Sequence, residues 1–239
     1  MITFGFIPFF FDPTFILLIP GIILAGYAQT KVQSTFNKYL KVRSEKGYTG
    51  SQVARAILNG AGLHDVRVEQ IPGKLSDHYD PRQRVLRLSP QVYQSNSLAS
   101  IGVAAHETGH ALQHDQGYLP LQLRANLVPF ARFGSSLAFP LIILGFFMGS
   151  SGLAVARIGV LLFSAAVLFQ LVTLPVEFNA SNRAVTVLER EGFIGRSEVG
   201  PVKKVLNAAA LTYLAAALVS VLNLLRLLIL TGMLGGRDD

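Results

Sequence analysis

From Phe133 to Val176 the chain runs for forty-four residues with one charge, Arg157. At 1.5 Å of rise per residue this stretch is long enough to cross a ~30 Å hydrocarbon layer twice. Gly149-Ser150-Ser151-Gly152 falls between the halves and supplies turn residues, so the sequence predicts a membrane-spanning helical hairpin. In lipid the backbone must satisfy its own hydrogen bonds, which makes helix the expected form. Two further apolar runs, Pro13 to Ala28 and Val205 to Leu225, raise the expected number of spans to four. The first is short, and the Phe-rich start FGFIPFFFD is expected to extend it into the interface. Arg226 is expected to snorkel from the end of the last. No Lys or Arg precedes the first run and Asp12 adjoins it, so a cleaved signal peptide is not expected.

Composition agrees. Hydrophobic residues make up 51% and charged residues 15% of the 239, the balance of a polytopic membrane protein. With no cysteine, any metal must be held by nitrogen and oxygen. The net charge of +7 raises nucleic acid as a partner, but the location of the charge argues against it. Residues 29–132 and 177–204 hold eighteen of the 21 Lys and Arg, and four spans put both segments on one side. The basic excess thus reads as the positive-inside signal and a contact with the lipid bilayer. The N-terminus is expected to face outward, and no nucleic-acid partner is expected.

Between the first span and the hairpin the pattern changes to that of a small folded domain. Val32, Phe36 and Leu40 recur at helical spacing among lysines, predicting an amphipathic continuation of the first span. Thr49 to Gly62 reads as a short helix. Val66–Ile71 and Arg84–Leu88 have strand character, and Leu75–Pro81 between them reads as a polar loop.

The chemistry is concentrated in ASIGVAAHETGHALQHDQG, read as a helix from Leu98 to Gln116. His106-Glu107-Thr108-Gly109-His110 is an H-E-x-x-H pattern, expected by chance in roughly 0.3% of chains with this many His and Glu. On a helix, residues i and i+4 share a face, so both imidazoles can reach one metal ion, and Glu107 lies beside it, able to take a proton from water. This helix is not a span, since a carboxylate at a bilayer centre would cost roughly 3 kcal/mol.

A catalytic zinc site expects a third protein ligand. His114 continues the series at i+8, but on a straight helix it stands ~12 Å along the axis and ~80° around it from His106. His78, in the polar loop, is a second candidate, better suited to donating a hydrogen bond to substrate. Glu177 is the stronger choice: it is the first charge after the third span, and the topology returns it to the side of His106. Asn179, Ser181 and Asp115 are then candidates to orient the ligands.

The blocks AAHETGHALQH, LSDHYDP, RLSPQVYQSNS and LPVEFNASNRA together resemble the YugP-type zinc-dependent membrane metallopeptidases, over about residues 30–225. The resemblance implies a zinc peptidase of the bacterial cell membrane, with His106 and His110 as ligands and Glu107 as catalytic acid and base. Similarity to the wider HtpX-type membrane proteases implies Glu177 as third ligand. Those relatives usually carry Asp four residues after that glutamate, where this chain has Ser181.

The expected fold is therefore a mainly α polytopic membrane protein of about four spans with a small zincin-like α+β catalytic domain. Residues 1–28 form the first span, 29–132 the catalytic region, 133–176 the hairpin, 177–204 the helix of the third ligand, and 205–239 the last span and tail. The expected activity is zinc-assisted hydrolysis of a protein or peptide substrate, with one Zn2+ per chain and His78 or Tyr79 stabilising the oxyanion. Val85–Leu88 is expected as an edge strand pairing with extended substrate. The expected location is the inner (plasma) membrane, multi-pass, with the site on the cytoplasmic side. The alternative is a non-catalytic scaffold or chaperone-like protein in which zinc is structural.

Overall fold

A computed structural model describes residues 12–234; the phenylalanines of residues 4–11 and the tail, 235–239, lie outside the described residues. A 3-10 turn over Pro13–Leu18 leads into α1 (Ile19–Leu40), followed by α2 (Gly50–Gly60), β1 (Arg67–Gln70), β2 (His78–Asp80), β3 (Val85–Leu88), α3 (Pro90–Gln94) and α4 (Leu98–Asp115). Then come α5 (Leu119–Phe147), a 3-10 turn over Gly149–Gly152, α6 (Leu153–Arg190) and α7 (Arg196–Leu230). Four helices are long and apolar enough to cross a membrane: Pro13–Leu40 with its leading turn, and α5, α6 and α7. The turn between α5 and α6 falls where the sequence expected it. All four helices extend past the apolar runs that announce them, and α5, α6 and α7 continue through internal prolines, Pro129 and Pro140, Pro175, and Pro201.

The chain divides into two compact units. One comprises residues 12–27, 124–172 and 214–234 of the described chain, the apolar parts of the four long helices. Its α5–α6 hairpin is closed by direct backbone approach. A Cβ on Gly145 would come within 2.5 Å of Ala156 N, and one on Gly159 within 2.7 Å of Ala138 O. Ala138, Ile142, Val160, Phe163, Val167 and Leu227 form its buried core. Arg226 corrects an expectation. Rather than snorkelling outward it is buried, pairs with the Asp12 carboxylate, and lies over the Phe15 ring. Pairing within the protein satisfies the guanidinium where outward reach would leave Asp12 without its cation.

The second unit, residues 28–123 and 173–213, holds the H-E-x-x-H helix. Its sheet has the order β1-β3-β2, with β1 parallel and β2 antiparallel to β3, in register Arg67↔Val85 and His78↔Arg87. β3 is therefore the central strand and not the expected edge. Val85, Leu86 and Leu88 are all buried, as befits a strand covered on both faces. β1 and β2 are its two edges, and β2 lies inside the segment read as a polar loop. α2 begins in a capping box, with Thr49 and Gln52 each satisfying the other's backbone N–H.

α4 starts behind Ser97, whose hydroxyl accepts from Ser100 N–H. Small residues let neighbours approach closely: a Cβ on Gly109 would stand 2.8 Å from the carbonyl of Ala180 on α6. Leu98, Ile101, Ala104 and Ala105 pack with Leu58, Leu86, Leu88, Leu188 and Leu206 in one core. The motif helix is thus held by α2, the sheet, α6 and α7.

Candidate metal centre

His106 and His110 stand one turn apart on α4 with ring centroids 4.8 Å apart, edge to face. Glu177 reaches them from α6: its Oε2 lies 3.2 Å from His106 Nε2 and 3.6 Å from His110 Nε2. One ligand atom from each of the three residues lies within 4.8 Å of the others. Tetrahedral ligands at about 2.05 Å from zinc would be about 3.3 Å apart, close to the two edges that Glu177 makes with the histidines. Glu177 is 2% exposed, and Arg183 bonds Asn179 and Gln116 rather than this carboxylate. A carboxylate so enclosed, facing two imidazoles, can hold a metal ion together with them.

The far side of each imidazole is tied back. His110 Nδ1–H donates to Gln113 Oε1 at 3.0 Å, which leaves Nε2 as the nitrogen that faces Glu177. Gln113 in turn donates to Val176 O and to Asn179 Oδ1, both at 2.9 Å, joining α4 to α6. His106 Nδ1 lies 3.1 Å from Ser181 Oγ. This is the back-bonding that fixes tautomer and ring orientation at metal sites. Burial works against a charged His110, but the carboxylate of Glu177 and the field of Glu107 more than offset it and hold the imidazole above its ordinary value.

Residues 14–232 match the model of a family described as "Putative neutral zinc metallopeptidase". The chain belongs to that family. Across 223 residues, 93% of this chain and 97% of the relative, it is 51% identical to a protein of Bacillus subtilis (strain 168) named "Putative membrane protease YugP". No solved structure matches it. The family and the four apolar helices make this a membrane member of a zinc metallopeptidase family, as the sequence blocks had suggested.

The remaining candidates fall at various removes from the triad. Glu107, on α4 beside His106, is partly buried and makes no hydrogen bond or ion pair among the described residues. Tyr79 on β2 bonds its hydroxyl to His114 Nδ1 at 2.9 Å, which turns His114 toward the sheet. His78 Nδ1 is tied to Ser76 O at 2.8 Å. Asn179 and Ser181 are bonded into the cluster as described. Asp115 is exposed at the end of α4 and has no hydrogen bond to the triad.

Two residues went unnoticed in the sequence. Gln113 was signalled only by standing three residues after His110. Asp77 was hidden in the polar loop; its carboxylate accepts from Ser89 N–H at 2.7 Å and the Ser89 hydroxyl at 3.1 Å. Burial raises the Asp77 carboxyl above its ordinary value and the negative charge of Glu107 adds to it, against the lowering effect of Ser89.

Proposed function

We propose that this membrane protein is a zinc metalloendopeptidase hydrolysing protein or peptide substrates, with one ion held by His106, His110 and Glu177 and with Glu107 as general base and acid. The observation carrying this reading is the convergence of two back-bonded imidazoles and one buried carboxylate on a common point. Zinc, when bound, supplies Lewis acidity toward the scissile carbonyl and the attacking water. Glu107 accepts the proton of that water and delivers it to the leaving amine. With no hydrogen bond or ion pair among the described residues, its carboxylate is available for both transfers. His78 and Tyr79, on the edge strand β2, are the donors proposed for the developing oxyanion, and the same edge would offer backbone groups to an extended peptide. The basic excess of residues 29–132 and 177–204 supports a site on the cytoplasmic side of the inner membrane.

The test is Glu107→Gln in the full chain. The expected outcome is a loss of peptide cleavage of at least about a hundredfold, with one zinc still bound per chain. Cleavage at the wild-type rate would overturn the mechanism, and would favour a scaffold in which the ion is structural.

A further inference from the structure

The hydrogen bonds behind His110 run on past Gln113 and end at a cation. Asn179 Oδ1 accepts from Gln113 Nε2 at 2.9 Å and also from Arg183 Nε at 2.7 Å. Asn179 and Arg183 stand four residues apart on α6, so one turn of helix brings their side chains together. The guanidinium reaches further, donating from Nη1 to Gln116 Oε1 at the end of α4, and its central carbon lies over the Tyr118 ring, 5.9 Å from the centroid. Arg183 thus holds a side chain of α6 with one nitrogen and the end of α4 with another.

Among the described residues Arg183 has no ion pair with a carboxylate. Its partners are two neutral oxygens and a ring, an arrangement that uses the fixed fork of the guanidinium more than its charge. What the fork fixes is Asn179. An amide oxygen has two lone pairs, and here Arg183 takes one and Gln113 the other. Because a guanidinium can only donate, the oxygen of Asn179 and not its NH2 group must face it, and the same oxygen then meets Gln113. Gln113 answers with its own NH2 group, which also donates to Val176 O at 2.9 Å, and its Oε1 is left for His110 Nδ1–H. Without Arg183, the Asn179 amide is free to turn, its NH2 would then oppose the NH2 of Gln113, and Val176 O alone would hold Gln113 to α6.

We propose that Arg183 is a positioning residue of the metal centre. By donating to Asn179 it fixes the amide of Gln113, and so holds the His110 ring with Nδ1–H on that amide and Nε2 toward the ion. The inference rests on His106, His110 and Glu177 being the ligands of that ion.

Zinc affinity of the full-length protein in detergent, measured by competition with a chelator, tests this in a cycle with Gln113→Leu. Arg183→Met, which keeps the stem and removes the fork, lowers affinity about fivefold, less than the loss of a direct partner of a ligand. In the Gln113→Leu background the same substitution changes nothing further, because the chain is already cut. Arg183→Lys keeps the charge, but one ammonium on a flexible stem does not reproduce the fork, and affinity stays about threefold below wild type. Cobalt(II) in place of zinc gives a second readout. At saturation its visible absorption bands in Arg183→Met shift toward those of Gln113→Leu, which a loss of stability alone would not produce. Equal losses of affinity in both backgrounds would make Arg183 a general support of the fold and overturn the proposal. Wild-type affinity in Arg183→Met or Arg183→Lys, with one zinc bound per wild-type chain, would also overturn it and leave the triad standing. No zinc on the wild type would remove the triad itself, and this inference with it.

Discussion

Gln113 receives the Nδ1 hydrogen of His110 at 3.0 Å while donating both of its own amide hydrogens to α6, to Val176 O and Asn179 Oδ1. An amide so engaged cannot flip without losing all three bonds, so the orientation of the His110 ring is set by the packing of α4 on α6. Gln113→Leu, close in volume, is expected to lower zinc affinity ten- to a hundredfold while cleavage by the zinc-saturated enzyme falls less. Competition against a chelator of known affinity measures this; unchanged affinity would show that His110 orients itself without the amide.

Gly109 tests how tightly the same two helices must meet. A methyl group there would stand 2.8 Å from Ala180 O, and the obstacle is backbone that cannot rotate away. Gly109→Ala is expected to destabilise the protein by about 1–3 kcal/mol and to loosen zinc. Gly60→Ala, at an exposed helix end with nothing within 4 Å, should be neutral or up to about 1 kcal/mol stabilising. Unfolding of both variants in detergent gives the comparison.

The pair Arg226 and Asp12 joins residues 214 positions apart. Asp12→Asn leaves a buried guanidinium without its carboxylate and is expected to cost about 3–5 kcal/mol. Adding Arg226→Met should recover much of that loss, because the guanidinium then no longer has to be buried. A double variant no more stable than Asp12→Asn would place the cost in the Asp12 cap on Thr14 instead.

Asp77 predicts a pH effect. Its carboxyl is raised in the folded protein, chiefly by burial, so its contribution is fully present below the unfolded value of 3.8 and is lost as pH rises through the folded one. Asp77→Asn keeps an acceptor for Ser89 N–H but cannot ionise. The variant should therefore gain stability relative to wild type as pH climbs from 3 toward neutrality, and unfolding midpoints across that range report it. A difference that does not vary with pH would remove Asp77 from the titration.

Much of this arrangement was legible in the residues. The hairpin followed from a run of apolar sequence too long for one crossing, and Glu177 followed from counting spans, which returns it to the side of His106. Gln113 was not legible, because an amide three residues beyond a histidine has many ordinary uses and its partners on α6 are over sixty residues away. β2 was missed since His78-Tyr79-Asp80 has neither apolar alternation nor length. β3 was read as a strand but placed at the wrong position in the sheet, as strand order depends on partners and not on the strand's own residues. Leu86 is fully buried at the sheet's centre, so proline there would break the sheet rather than probe substrate pairing. Arg226 misled for a related reason: the residue it meets lies at the other end of the chain.

The glycines that bring α5 against α6 have a mechanical consequence. Where main chain rests on main chain, no side chain can swing aside to open a gap, and separating the helices would expose both surfaces over several turns. A polypeptide embedded in lipid therefore cannot slip sideways between α5 and α6.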